Sequence, residues 1–212
     1  MPTTTRLEET NRPALRAHLL SLGSEDRHLR FGFAARDATI ERYVADIDFK
    51  RDAVFGVRGV PGKGKTFDGI IHLALENNHA EIGLSVLKPS RGCGIGKALV
   101  ARAATYARNH GIKVLFMQCL TANRAIMHIA HALGMKVVVD GTQSEANLVL
   151  PAGDAMSVLR ELEEDQIALC DAVLGDSMLS RETQMAASAR GYITKYQLNP
   201  AICGAIAVQT AQ

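Results

Sequence analysis

Two glycine-rich stretches in this chain of 212 residues have the residue types to hold a phosphate. The first, Gly59-Val60-Pro61-Gly62-Lys63-Gly64-Lys65-Thr66, satisfies the pattern G-x-x-x-x-G-K-[ST]. In that pattern glycines let backbone N–H groups cradle phosphates while the lysine reaches the terminal ones. Val137-Val138-Val139-Asp140 offers a downstream carboxylate for a magnesium ion. A strand must precede such a loop and a helix must follow it. Here Gly69 would fall in the first turn of that helix, costing roughly 1 kcal/mol relative to alanine. The segment also stops early, at Glu76-Asn77-Asn78. Phe67, Ile70, Ile71, Ala74 and Leu75 do fit a helical face, so periodicity leaves Thr66 to Leu75 as helix or strand. The stretch reads as a lysine-rich hairpin turn, with a nucleotide site as the alternative.

The second stretch is Arg91-Gly92-Cys93-Gly94-Ile95-Gly96-Lys97. It follows an alternating segment, Glu81 to Leu87, and opens a helix that runs from Gly96 to about Asn109. Glycines there let backbone approach an anion, and the free N–H groups of a helix start point at it with the helix dipole behind them. Arg91 and Lys97 add positive charge.

The elements that must position these residues follow from period and punctuation. Thr3 to Glu8 reads as a strand. Thr10-Asn11-Arg12-Pro13 is a helix start, and Leu15, Leu19 and Leu22 recur at helical spacing until Gly23. A second helix begins near Asp37 with Ile40, Tyr43, Val44 and Ile47. Ala53 to Val57 is a strand, Val60 to Lys65 a turn and Glu76 to His79 another. Lys113 to Leu120 is a buried strand, and Ala122 to Leu133 a helix ended by Gly134. Lys136 to Val139 and Asn147 to Leu150 close the pattern around an Asp140-Gly141 hairpin turn. The order predicts a mixed α/β layer with one open central sheet.

On these residues the chain resembles the GNAT superfamily of acetyl-CoA-dependent N-acyltransferases. Arg91 to Gly96 matches that family's [Q/R]-x-x-G-x-[G/A] signature. Asn123 through Leu133-Gly134-Met135 is similar to its N-x-x-A-x-x-L-Y-x-x-L-G-F helix. Ser24-Glu25-Asp26-Arg27-His28-Leu29-Arg30-Phe31 is similar to a stretch common in the protein-lysine acetyltransferase-like branch. The resemblance covers about residues 3 to 150. It implies a mostly antiparallel, splayed central sheet flanked by helices, over a domain of residues 1–150, with 151–212 as a helical C-terminal extension.

The resemblance also implies roles, residue by residue. The pyrophosphate of coenzyme A would sit on Arg91, Gly92, Cys93, Gly94, Ile95, Gly96 and Lys97. The pantetheine arm would add like a strand beside Leu84, Ser85 and Val86, a form of β-augmentation. The Val86 N–H would stabilise the developing oxyanion, and Asn123 would contact the cofactor arm. The milder reading makes Leu84 and Val86 core residues and Asn123 a helix cap. An amine acceptor has a pKa near 10.4 and must lose a proton before it attacks, and Glu81 stands where the branch keeps its catalytic glutamate. The alternative is a solvent-facing strand glutamate, because alternation with Ile82 and Leu84 leaves its face open. The pattern breaks at Ala130, where the family tyrosine that often protonates the departing thiolate would stand. His131 is adjacent but about 100° away around a helix. His128 reads as a surface or packing residue, and Met135 replaces a phenylalanine in the core.

Composition limits the remaining possibilities. The chain is 47% apolar and 22% charged with a net charge of +2, which argues for a globular protein and against general nucleic-acid binding. No apolar run of 18 residues exists to span a bilayer, and the start, Met1 to Arg6, lacks the apolar centre of a signal peptide. Cys93, Cys119, Cys170 and Cys203 have no metal or disulfide spacing, as expected of reduced thiols in a cytoplasmic protein that needs no metal. Residues 1–150 hold 20 basic and 14 acidic side chains, and 151–212 hold 4 and 8. After Pro151, Val158, Leu159, Leu162, Leu169 and Val173 trace one face of a helix, with Glu161, Glu163, Glu164 and Asp165 mostly on the other. That amphipathic helix is expected to pack on the sheet, close over the acceptor groove or form a homodimer contact. The expectation is acetyl transfer from acetyl-CoA to a primary amine, a protein lysine or a small molecule. An acyl-CoA-binding sensor without efficient turnover and a phosphate-loop nucleotide enzyme are the alternatives.

Overall fold

The computed structural model describes residues 2–59, 66–171 and 173. Met1–Leu169 form one compact unit and Cys170–Gln212 a second. In the first, seven strands form one sheet: β1 Thr5–Leu7, β2 Ala53–Arg58, β3 Phe67–Glu76, β4 His79–Val86, β5 Val114–Leu120, β6 Lys136–Asp140 and β7 Gln143–Val149, in the order β1-β2-β3-β4-β5-β7-β6. Every neighbouring pair is antiparallel except β4 with β5. The helices are α1 Arg12–Leu20, α2 Ser24–Phe31, α3 Asp37–Asp46, α4 Ile95–Asn109 and α5 Arg124–Ala132, and the chain is helical again from residue 155.

Strand side chains alternate between faces, and each face carries its own core. Phe55, Ile71, Leu73, Ile82 and Leu84 meet Leu99, Val100 and Ala103 of α4 on one side. On the other, Val54 and Ile70 meet Leu15 and Leu19 of α1 and Ile40 and Val44 of α3. Being covered on both faces, β3 lacks the polar-apolar alternation of a half-exposed strand, which is why its sequence fits helix and strand alike.

That strand removes the setting the first glycine-rich stretch would need. Thr66 leads directly into β3, and the Gly59 N–H donates to the Thr66 carbonyl at 3.1 Å, closing a hairpin. No helix follows to aim its N–H groups at a phosphate. The turn expected over Val60 to Lys65 lies outside the described residues.

Two elements differ from expectation. The segment read only as a family-like stretch is the helix α2, which buries none of its residues. Arg27 ties it down, donating to the carbonyls of Leu20 at 2.7 Å and Leu22 at 2.9 Å and pairing with Asp37. Strand β7 begins at Gln143, earlier than Asn147, because Gly141 takes a φ of +58° and the two strands pair at once.

The helix from residue 155 docks by its polar side and leaves its large apolar residues exposed. Ser157 and Ala168 are buried against the body, while Val158, Leu159, Leu162 and Leu169 are exposed. Arg102 of α4, 1% exposed, pairs with Glu164 at 3.1 Å and with Asp165, and lies over the Phe55 ring at 4.9 Å. Asn109 donates to the Ser157 carbonyl and to Glu161. The expectation for Val173 falls in the second unit. Among the described residues no helix is long and apolar enough to cross a membrane.

Candidate functional site

The parallel pair β4–β5 makes the opening. It is in register only at His79–Val114, Ala80–Leu115 and Glu81–Phe116, after which the strands diverge. On its other side β4 stays paired with β3 as far as Val86–Gly69. In an antiparallel ladder, hydrogen-bonded pairs alternate with non-bonded ones. The Leu87 N–H donates to the Asp68 carbonyl at 2.7 Å, so Ser85, Gly83 and Glu81 bond to β3. The backbone groups of Ile82, Leu84 and Val86 then point the other way, into the splay, where β5 no longer meets them.

Beyond β4 the chain turns through Lys88–Ser90 into the second glycine-rich stretch. Gly92 and Gly94 have φ of +79° and +78°, a region costing an L-residue roughly 1–2 kcal/mol. Gly94 caps α4 without a side-chain bond, so the first N–H groups of a 15-residue helix face outward beside Lys97. Arg91 is less free than its type suggested. It pairs with Asp26 of α2 at 2.7 Å, and its Nε donates to the Val86 carbonyl at 3.1 Å.

A cleft of about 500 Å³ brings together Leu84, Ser85, Val86, Arg91, Gly92, Gly94, Ile95, Gly96, Lys97 and Asn123. Cys93 is exposed and does not line it. Asn123 caps α5, its Oδ1 accepting from the Ile126 N–H at 3.2 Å, and it borders a second cleft as well. Ser85 turns its hydroxyl away toward the buried His18. The His18 Nδ1 lies 2.7 Å from the Phe67 carbonyl, which can only accept, so Nδ1 carries the proton and Nε2 accepts from Ser85 at 2.8 Å. Burial holds His18 neutral, lowering its pKa to about 4.

The second cleft, of about 760 Å³, adjoins the first across Leu29, Arg30, Leu84, Asn123 and Ile126 and contains Glu81. Glu81 shares a face of β4 with Gly83 and Ser85, opposite to Ile82 and Leu84, and is exposed to the cleft. Sequence reasoning missed Arg30 and Tyr43 here, and it left His128, which borders the first cleft, as a packing residue. The signal for Arg30 was Gly83, a glycine inside a strand that marks close approach. A Cβ at Gly83 would fall within the Arg30 guanidinium.

Behind Arg30 runs a polar chain. Arg30 donates to the Tyr43 hydroxyl at 2.8 Å, Tyr43 meets His72 Nδ1 at 2.7 Å, and His72 Nε2 lies 3.3 Å from Asp52. Burial lowers the His72 pKa, keeping the ring neutral. Its one proton faces the carboxylate, so Tyr43 donates to Nδ1. Burial would raise Asp52, but bonds from Arg51, His72 and the Leu75 N–H outweigh it and hold the carboxyl below its ordinary range. Cys119 borders the same cleft with its thiol pKa pushed up by burial. Ala130 is 0% exposed and brings no hydroxyl to either cleft. Among the described residues no cluster of three or more His, Cys, Asp or Glu could hold a metal ion.

Comparison with known proteins agrees with this fold. Residues 24–135 match the family model described as the Acetyltransferase (GNAT) family. The GNAT domain of PAT from S. lividans superposes with a TM-score of 0.59 at 16% identity, covering 69% of this chain and 89% of that one. The ribosomal-protein-S18-alanine N-acetyltransferase of Escherichia coli gives 0.53 at 18%, over 73% and 96%. The spermidine N-acetyltransferase of Vibrio cholerae, in complex with CoA and spermine, gives 0.54 at 15%, over 69% and 95%.

Proposed function

The chain belongs to the GNAT acetyltransferase family, and on that premise we propose that it moves an acetyl group from acetyl-CoA to a primary amine by direct transfer in a ternary complex. The observation that carries this reading is the divergence of β4 from β5 after Glu81, which leaves the Leu84 and Val86 backbone facing the splay next to the open start of α4. The residues present suit the cosubstrate. Left-handed Gly92 and Gly94 present the N–H groups of α4 to a pyrophosphate with Lys97 beside them. The exposed β4 edge offers amide partners to a pantetheine arm.

Acetyl-CoA supplies the activated acyl carbon and a thiol leaving group. Glu81, in the adjoining cleft, accepts the proton of the acceptor ammonium directly or through one water. The Val86 N–H donates to the oxygen on which negative charge develops. The acceptor occupies the Glu81 cleft and meets the acetyl group where the two clefts join. A thiol of pKa near 8.5 leaves tolerably as the thiolate, so the absence of a tyrosine at Ala130 does not halt the cycle.

The decisive experiment titrates the protein calorimetrically with acetyl-CoA, and with ATP-magnesium in parallel, followed by a thiol-release assay over an amine panel. Micromolar acetyl-CoA binding, no ATP binding and thiol release that Glu81→Gln abolishes support the reading. Buried Ala130 favours one second reading, an acyl-CoA sensor, which would bind acetyl-CoA and release no thiol with any amine.

A further inference from the structure

Where the two clefts join, Arg30 borders both of them and is a cation that the fold itself does not neutralise. Arg30 is partly buried, its Nε is shielded from solvent without a hydrogen-bond partner, and its guanidinium lies over the rings of Phe31 and Tyr43 at 5.0 and 5.5 Å. Its one hydrogen bond among the described residues is to a neutral hydroxyl, that of Tyr43. Other arginines drawn against the body meet carboxylates: Arg27 meets Asp37, Arg91 meets Asp26, and Arg102 meets Glu164 and Asp165. A partly desolvated guanidinium without an anion is unfavourable, and here it stands at the wall of a cavity.

Its position relative to Glu81 is fixed by the strand. The guanidinium rests over Gly83, two residues along the same face of β4 from Glu81, a spacing of roughly 6–7 Å. One face of one strand therefore offers a carboxylate and, a short molecule's length away, a planar donor fork suited to a carboxylate. Asp140 and Glu145 also border the cleft, from β6 and β7. Both are exposed, so solvent screens them more than the guanidinium. A polyamine would bring a second ammonium toward Arg30 and be repelled.

Resting on the acetyltransferase reading, we propose that the acceptor is a small amine that also carries a carboxylate, as a free amino acid does. Its amine turns to Glu81 and its carboxylate to Arg30. Tyr43, donating to His72 and accepting from Arg30, holds the fork in place as a positioning residue.

The test measures kcat/KM by thiol release for free amino acids, each matched with its carboxamide and its decarboxylated amine, in the wild-type protein and in Arg30→Met and Arg30→Lys. Wild type should prefer the carboxylate-bearing member of each set. In Arg30→Met that preference should fall about 10- to 150-fold, the scale of losing a hydrogen bond to a charged group, mainly through KM, with partial recovery in Arg30→Lys. A merely structural Arg30 would lower all members together, and a group acting on the thioester would lower kcat for all. In either case the preference would be unchanged and the proposal overturned. Equal or better turnover of the uncharged partners by wild type overturns it while leaving the acetyltransferase reading standing. No turnover of any amine, with acetyl-CoA bound, sinks both. Thermal melts verify that each variant is folded, and because Arg30 also borders the first cleft, loss of calorimetric acetyl-CoA binding in a folded Arg30→Met would assign Arg30 to the cofactor and overturn the proposal.

Discussion

Replacing Gly94 with alanine tests whether the loop at the start of α4 is held in its left-handed turn for the sake of an anion. An ideal Cβ there meets nothing within 4 Å, and the residue's φ is +78°. The substitution therefore adds no clash, only the backbone cost of roughly 1–2 kcal/mol. That cost must appear in one of two places. If the loop keeps its shape, stability falls by the full amount, a shift of about 2–8 °C in Tm for a unit of this size. If the loop relaxes to a negative φ, stability is spared, but the N–H groups of α4 turn away from the pyrophosphate and acetyl-CoA affinity falls by up to about 5- to 30-fold. Gly141→Ala is the matched control. Its φ is +58°, its Cβ also meets nothing, and it sits in the β6–β7 turn away from the first cleft, so it should lower Tm with unaltered affinity. Thermal melts and calorimetric titration of both variants read the two quantities. Gly94→Ala with both stability and affinity unaltered, or Gly141→Ala with weakened acetyl-CoA binding, would refute the reasoning.

Glu81→Gln removes the proton acceptor while keeping the side chain's shape, and should lower kcat/KM for amines by about 10²- to 10⁴-fold with calorimetric acetyl-CoA affinity retained. The buried His18 has a folded pKa of about 4 against 6.5. The unfolded chain thus binds the extra proton first, and stability present above pH 6.5 is lost as pH falls toward 4. The total is roughly 3 kcal/mol, and urea midpoints between pH 7 and 4 should fall less steeply for His18→Gln than for wild type. Arg102→Met keeps the volume over Phe55 but releases Glu164 and Asp165, which are 35% and 46% exposed and can be solvated. The body should lose about 1–2 kcal/mol, the scale of charge-assisted hydrogen bonds to partly exposed partners, and amide exchange over residues 155–169 should rise at least about fivefold.

How much of this was legible in the sequence depended on whether period and punctuation agreed. At Arg91 to Lys97 they did, because alternation ended, glycines followed and a 3.6-residue period began, and the structure has the turn and α4 there. The Asp140-Gly141 turn was equally plain, although β7 ran longer than its apolar residues suggested because Ser144 and Ala146 fill its buried positions. Where burial is two-sided, as in β3, alternation vanishes and the type of element becomes ambiguous. Where it is absent, as in α2, no apolar period exists to read. The same limits applied to the site. The glycines announced a turn at a helix start, but which way Glu81 faces depends on the register of β4 with β3, a long-range property. Arg30 reaches the cleft only because Gly83 makes room for it. Which face the helix from residue 155 turns to the body was not legible, because it is set by Arg102, a buried cation that draws Glu164 and Asp165 inward.

The short seam between β4 and β5 also divides the sheet into two halves. On one side of it, β1 to β4 form with adjacent or nearby strands, and on the other β5, β7 and β6 do the same, each half largely through antiparallel neighbours. Only three residue pairs join the halves directly, and they become neighbours only once the crossover through α4 has closed its loop. The cleft thus lies along the joint that holds the two halves of the sheet edge to edge. A ligand that lies along both strands acts there as a splint, linking two halves that the chain itself leaves joined by a hinge three residues wide.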